Sequence, residues 1–185
     1  MKLKKFKFKN VNSTNDIALR LIKKTKNKFG IVITNKQKKG RGQHGKRWIS
    51  NNGNLFVSIF FSLEKINLSL RQMTKINCKL IKNLLSFYCK KKISIKPPND
   101  LLIDKKKICG ILQETLIKNN ITYMVVGIGI NLIKNPNISN YKTTNLFEIT
   151  NNKIDKNKII YKLKNIYEKF IPRFSKFKIK KINIT

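Results

Sequence analysis

The amino-acid sequence predicts an α+β fold, a mixed and mainly antiparallel sheet flanked by helices. Three observations carry that expectation. Apolar residues recur at helical spacing in separate stretches. Between these stretches lie short runs rich in Ile, Val and Phe, which suit strands. Two short Asp/Asn/Lys segments divide neighbouring strand-like runs at hairpin distance. With 185 residues, 41% of them hydrophobic and 11 of them Phe, the chain is long enough to bury the core of one domain.

Taken in order, Met1 to Lys9 alternates Lys with Leu or Phe and reads as an edge strand. Ser13 opens a helix to about Lys24, with Asp16 three positions on in a capping-box-like arrangement. Phe29 to Thr34 reads as a strand and leads to a Gly-rich segment, Gly40 to Gly45. Asn51-Asn52-Gly53-Asn54 is a turn into the apolar strand Leu55 to Leu63. From Ser69 to about Lys91, the spacing of Met73, Ile76, Leu80, Leu84 and Phe87 predicts a long amphipathic helix. Strands Leu101–Ile103, Ile108–Leu116 and Ile121–Leu132 follow, joined by turns at Asp104-Lys105-Lys106 and Lys118-Asn119-Asn120. The stretch from Lys156 to Phe170 is helical in pattern and is expected to stop before Pro172. No repeat or linker divides the chain. We assign 1–150 to the main domain and 151–185 to a Lys-rich helical tail.

The charge is extreme: 42 Lys and Arg against 8 Asp and Glu, formally +34. Such a balance suits nucleic acid or an anionic membrane surface. It also follows from a coding bias that enriches Lys, Asn and Ile throughout, and no RNP-like motif accompanies it. No apolar run reaches membrane-spanning length and no signal peptide opens the chain. Cys78, Cys89 and Cys109 have neither metal-ligand nor paired spacing, so reduced cytoplasmic thiols are expected. A single histidine, His44, argues against a Ser–His–Asp triad or a His-based metal site.

Four segments carry chemistry. Gln37 to Trp48 holds Gly40, Gly42 and Gly45 among cations, which lets backbone approach an anion; a solvated loop would look the same. Lys96-Pro97-Pro98-Asn99-Asp100 sets a polar pair at a strand start, or is simply a turn. Lys107 to Glu114 places a cation at the mouth of a buried strand. Gly127-Ile128-Gly129-Ile130-Asn131 puts glycines in a central strand, making room for a ligand or another backbone.

The joint order of Ser13-Thr14-Asn15, Gln37 to Trp48, Lys96 to Leu101, Lys107 to Glu114 and Gly127 to Asn131 resembles the biotin–protein ligase family. The resemblance runs from Ser13 to about Phe147 and implies a class II aminoacyl-tRNA synthetase-like catalytic core over 1–150. It implies activation of biotin by ATP as biotinyl-5′-AMP, with Mg²⁺. Biotin then passes to a lysine of the biotin carboxyl carrier protein of acetyl-CoA carboxylase. On this resemblance Lys107, Arg41 and Asp100 are the catalytic candidates, and Asp100 is the candidate ligand for Mg²⁺. Ser13, Thr14, Asn15, Gln37, Gly40, Arg41, Gly42, Lys107, Gly110, Gly127 and Gly129 would hold biotin. Arg41, Trp48, Asn99, Asp100, Lys107 and Asn131 would hold the nucleotide.

The chain departs from the family's pattern at two positions: Gln43 stands where many relatives carry a second Arg, and Pro97 where an aromatic residue is usual. The motifs begin so early that no DNA-binding winged helix is expected, and the usual C-terminal β-barrel is expected to be missing. A membrane partner is not expected, while a homodimer is left open. The rival enzyme reading is a lipoate ligase or octanoyltransferase of similar fold.

Overall fold

The computed structural model describes residues 1–174 apart from Lys65, Asn67 and Asn140. The elements run β1 (Lys4–Val11), α1 (Thr14–Lys24), β2 (Phe29–Gln37), β3 (Leu55–Ser62), α2 (Leu70–Ser86), β4 (Ile93–Lys96), β5 (Asp100–Ile103), β6 (Lys106–Lys118), β7 (Ile121–Ile130), α3 (Leu146–Thr150) and α4 (Lys156–Phe174). Among the described residues the strands form one sheet in the order β1-β2-β3-β7-β6-β5-β4. Only the edge pair β1–β2 is parallel, so the expected mixed, mainly antiparallel sheet is present. No helix of the described residues is long and apolar enough to cross a membrane.

Strand alternation sorts the side chains into two cores. Ile31, Ile33, Ile59, Phe61, Met124 and Val126 face one way and meet α2 and α4. Val32, Phe60 and Val125 face the other way and meet Ala18 and Ile22 of α1. On that second face β7 continues past Val125 as Gly127 and Gly129, opposite Leu112 and Gly110 of β6. The apolar pattern therefore ends where α1 begins, and the uncovered stretch of sheet is floored by glycine and small polar residues. This gap is where the cleft forms.

Local chemistry explains the boundaries. The two-residue turns Asp104-Lys105 and Asn119-Asn120 have φ of 49°, 61°, 49° and 59°, the left-handed pair that matches hairpin twist. Ser69 caps α2 in a full capping box with Gln72. Asn54 is wholly buried, and its Oδ1 accepts the backbone N–H groups of Leu132, Ile133 and Lys134 at 2.9, 3.1 and 3.2 Å. The apparent turn residue thus fixes the exit of β7.

Three expectations are corrected. Ser13 is the N-cap of α1 but its side chain makes no capping bond, and the Asp16 carboxylate pairs with Arg41. Helix α2 ends at Ser86 rather than near Lys91: the N–H groups of Tyr88 and Cys89 both turn back onto the Leu85 carbonyl, and the chain reverses to bury Ile93. Phe87 consequently lies 70% exposed. Helix α4 continues through Pro172 for its last turn, held down by buried Ile171. Strand β4 and helix α3 were not anticipated; each is a short element whose formation depends on its neighbours in space.

Helix α4 packs through Ile159, Leu163 and Tyr167 onto the same core as α2. The Tyr167 hydroxyl donates to Asn77 Oδ1 at 2.8 Å, inside the protein. The three cysteines are unpaired and buried. Burial pushes the Cys78 thiol up to about 11 and holds Cys109 well above its usual value.

Candidate active site

The cleft has a volume of about 310 Å³. It opens at the N-terminal end of α1, over the glycine floor of β6 and β7. Six chain segments contribute to it: the start of α1, the end of β2 with the following loop, the β4–β5 turn with β5, the start of β6, the end of β7, and the segment at Tyr141-Lys142.

One end is neutral and tightly hydrogen-bonded. Gln37 Oε1 accepts the Thr14 backbone N–H at 2.8 Å and the Thr14 hydroxyl at 3.1 Å, while Gln37 Nε2 donates to Ser50 Oγ at 3.2 Å. The Ser58 hydroxyl donates to Asn15 Oδ1 and sits 2.8 Å from Thr14 Oγ1. Asn15 Nδ2 donates to Glu114 Oε2 at 2.7 Å and to the Leu112 carbonyl at 3.4 Å. Ser13, Thr14 and Asn15 are all nearly buried, so this network is a rigid wall rather than a solvated loop.

The other end is cationic. Lys107 Nζ is 2.8 Å from Asp100 Oδ1, in a pair whose side chains are only 15% and 22% exposed. The same ammonium lies 5.4 Å from the centre of the Trp48 ring and 5.2 Å from that of Tyr141. Lys46, Arg47, Lys96, Lys105 and Lys142 also line the cleft, and Asp100 is the carboxylate among the lining residues. The backbone holds Lys107 in place through its N–H to the Lys142 carbonyl and its carbonyl from the Thr144 N–H. An anionic, phosphate-sized group suits that end, and a neutral hydrogen-bonding group suits the other.

The loop between β2 and β3 bridges the two ends. Gly42 N–H donates to the Lys46 carbonyl at 2.6 Å and Trp48 N–H to the Gly40 carbonyl at 2.9 Å, closing a small bridged loop. His44 at its tip has a φ of 53°. Arg41 Nη2 contacts Asp16 Oδ1 at 2.8 Å and Glu114 Oε2 at 2.7 Å.

Most of the residues singled out in the sequence line this one cleft: Ser13, Thr14, Asn15, Gln37, Arg41 and Gly42, then Trp48, Asn99, Asp100 and Lys107, and finally Gly110, Gly127 and Gly129. Gly40 and Asn131 do not. A Cβ on Gly40 would meet the Trp48 carbonyl oxygen at 2.6 Å, so this glycine permits loop closure. Asn131 is buried behind the cleft, where its Nδ2 donates to the Thr144 carbonyl at 3.0 Å; its Oδ1 has no partner.

Protein side chains also stand over the glycine floor of the cleft. A Cβ on Gly129 would meet Trp48 Cε2 at 2.4 Å, one on Gly110 would meet Trp48 Cζ3 at 2.6 Å, and one on Gly127 would meet Asn15 Oδ1 at 2.3 Å. Asn99 is likewise a strut, its Nδ2 donating to the Ile111 carbonyl at 2.6 Å. Among the described residues, no three His, Cys, Asp or Glu side chains converge as metal ligands.

The sequence pointed to Asp16 only as a helix cap, and to no role for Ser58, Glu114, Tyr141 or Lys142. Glu114 stood at the end of a quoted motif and could have been found there. Tyr141 and Lys142 carried no signal, because only the pairing of Lys107 with Thr143 brings their segment to the cleft.

Comparison with known proteins points the same way. The model of a family described as the biotin/lipoate A/B protein ligase family matches residues 7–131. The chain is 32% identical over 124 residues to the bifunctional ligase/repressor BirA of Escherichia coli K12, covering 66% of this chain and 38% of that protein. It is 29% identical over 108 residues to the biotin–[acetyl-CoA-carboxylase] ligase of Paracoccus denitrificans, covering 57% and 45% respectively. The chain thus spans less than half the length of these two curated relatives. Among solved structures, a biotin protein ligase from Aquifex aeolicus in complex with biotin and ATP superposes with a TM-score of 0.79 at 25% identity, over 94% of this chain and 72% of that one.

Proposed function

The chain belongs to the biotin/lipoate A/B protein ligase family, and on that premise we propose that it activates biotin with ATP and transfers it to a lysine of a biotin carboxyl carrier protein. The observation that carries this reading is the polarity of the cleft: a neutral hydrogen-bonding wall at Thr14, Asn15 and Gln37 faces a cationic end built on Lys107. A ureido ring needs paired donors and acceptors, and the first end supplies them. The carboxylate of biotin and the α-phosphate of ATP are both anionic, so their approach requires fixed positive charge. Lys107 is the residue assigned that role, aimed by Asp100 and by the faces of Trp48 and Tyr141.

Mg²⁺ bound to the nucleotide would draw charge onto the departing pyrophosphate. One carboxylate, with phosphate oxygens and water completing the shell, is an ordinary donor set for that ion, and Asp100 supplies the carboxylate. In the second step a lysine attacks the mixed anhydride and AMP leaves. Asp100 is positioned at the cleft to orient that amine and take its proton. The loop carrying Arg41 would keep water from the anhydride.

The test uses purified protein with ATP, Mg²⁺, biotin and an isolated biotin carboxyl carrier domain, followed by mass spectrometry of the carrier. Biotin on one lysine supports the reading. An unmodified carrier, or one modified only when lipoate replaces biotin, overturns it.

A further inference from the structure

Glu114 lies outside the lining of the cleft, yet it joins both walls. A single carboxylate oxygen, Oε2, accepts from Asn15 Nδ2 and from Arg41 Nη2, each at 2.7 Å. Asn15 belongs to α1 and Arg41 to the loop after β2, whereas Glu114 sits in β6, so this oxygen ties three elements together. The Asn15 end is fixed further: its Oδ1 takes the Ser58 hydroxyl, and Gly127 leaves the space its amide fills. The Arg41 end is not buried. Its side chain is 40% exposed, and the backbone hydrogen bonds of Gly42, Lys46 and Trp48 close the loop on itself rather than onto α1.

The geometry points to Glu114 as a positioning residue that latches the loop to the rigid wall, with Asp16 as an auxiliary partner. Both carboxylates engage the same guanidinium nitrogen, which leaves the rest of the fork available to an anion in the cleft. Of the two pairs, the one with Glu114 is the better shielded: its carboxylate is 24% exposed against 44% for Asp16, so screening weakens it less. The latch rests on the proposed ligase reading only for its consequence in catalysis. Its structural part needs no ligand.

The latch also changes what Arg41 does. With two carboxylates on one guanidinium, Arg41 acts chiefly by closing the loop and only secondarily by adding charge. Glu114→Gln keeps an oxygen for Asn15 but removes the charge that holds Arg41. Released, the loop should open more often, exposing the amides of Gly42, Lys46 and Trp48, which are hydrogen-bonded within it.

The test is hydrogen exchange of the 40–48 segment, without ligand, in the wild type, Glu114→Gln, Arg41→Ala and the double variant. Exchange should quicken roughly three- to tenfold in each single variant, with no further gain in the double variant. Exchange elsewhere in the sheet should be unchanged. With biotin and ATP, Glu114→Gln should raise KM for biotin and the rate of AMP formation without an acceptor, with Glu114→Asp restoring part of both. Unchanged loop exchange in Glu114→Gln, or fully additive effects in the double variant, overturns the latch. A wild type that forms no AMP in response to biotin overturns the ligase reading instead, and the exchange data still decide the latch.

Discussion

Lys107 is held by contacts that a core lysine would not need: a 2.8 Å partner in Asp100 and two aromatic faces. Removing the ammonium leaves Asp100 at the cleft edge, with water to solvate it, so the fold should survive. Lys107→Ala is expected to lower biotin-dependent AMP formation by about 100-fold or more, the scale of losing one preorganised charge at a reacting anion. Its unfolding midpoint should stay close to that of the wild type. Near-normal AMP formation would remove Lys107 from the chemistry. Trp48, the only tryptophan, offers a second test because its ring fills the slot above Gly110 and Gly129. In Gly129→Ala the new methyl would meet the indole at 2.4 Å, so the ring must shift. Its emission should move to the red and KM for ATP should rise; an unchanged spectrum would mean that the indole does not occupy the slot. The sequence showed that these glycines make room for something, but not for what. The ring that fills the slot comes from a loop about 60 to 80 residues away in the chain, which no local pattern reveals.

Elements with strong local codes were legible. The hairpin turns at Asp104-Lys105 and Asn119-Asn120, the start of α2 at Ser69 and the edge position of β1 all follow from residues within a few positions of each other. What failed was set at a distance. Asp16 has the spacing of a helix cap but pairs with Arg41, and Pro172 belongs to a helix because Ile171 is buried against the core. Helix α4 provides the test at this scale. The Tyr167 ring is fully buried, burial holds its phenol far above the usual range, and so it remains a neutral donor to Asn77. Tyr167→Phe leaves Asn77 Oδ1 buried without that donor. The expected loss is about 1–2 kcal/mol, read as a thermal midpoint lower by about 2–4 °C per kcal/mol for a chain of this size. An unchanged midpoint would show that the bond contributes nothing net to docking of α4.

At the scale of the molecule, the formal charge of +34 asks for an account. Only a few of those cations line the cleft. If the acceptor carrier is acidic, transfer should be steered electrostatically, whereas activation of small substrates depends on the local site. Raising salt to roughly 0.5 M shrinks the Debye length to a few Å. Transfer to the carrier should then slow several-fold while adenylate formation changes less. Equal salt sensitivity of the two half-reactions would assign the charge to compositional bias. The central claim is narrower than this and can be met by one measurement, the isotope exchange between ATP and pyrophosphate in the presence of single acids. Exchange is expected to depend on biotin, not to be produced by lipoate, and to disappear in Lys107→Ala. Exchange driven by lipoate alone, or none with either acid, would contradict it.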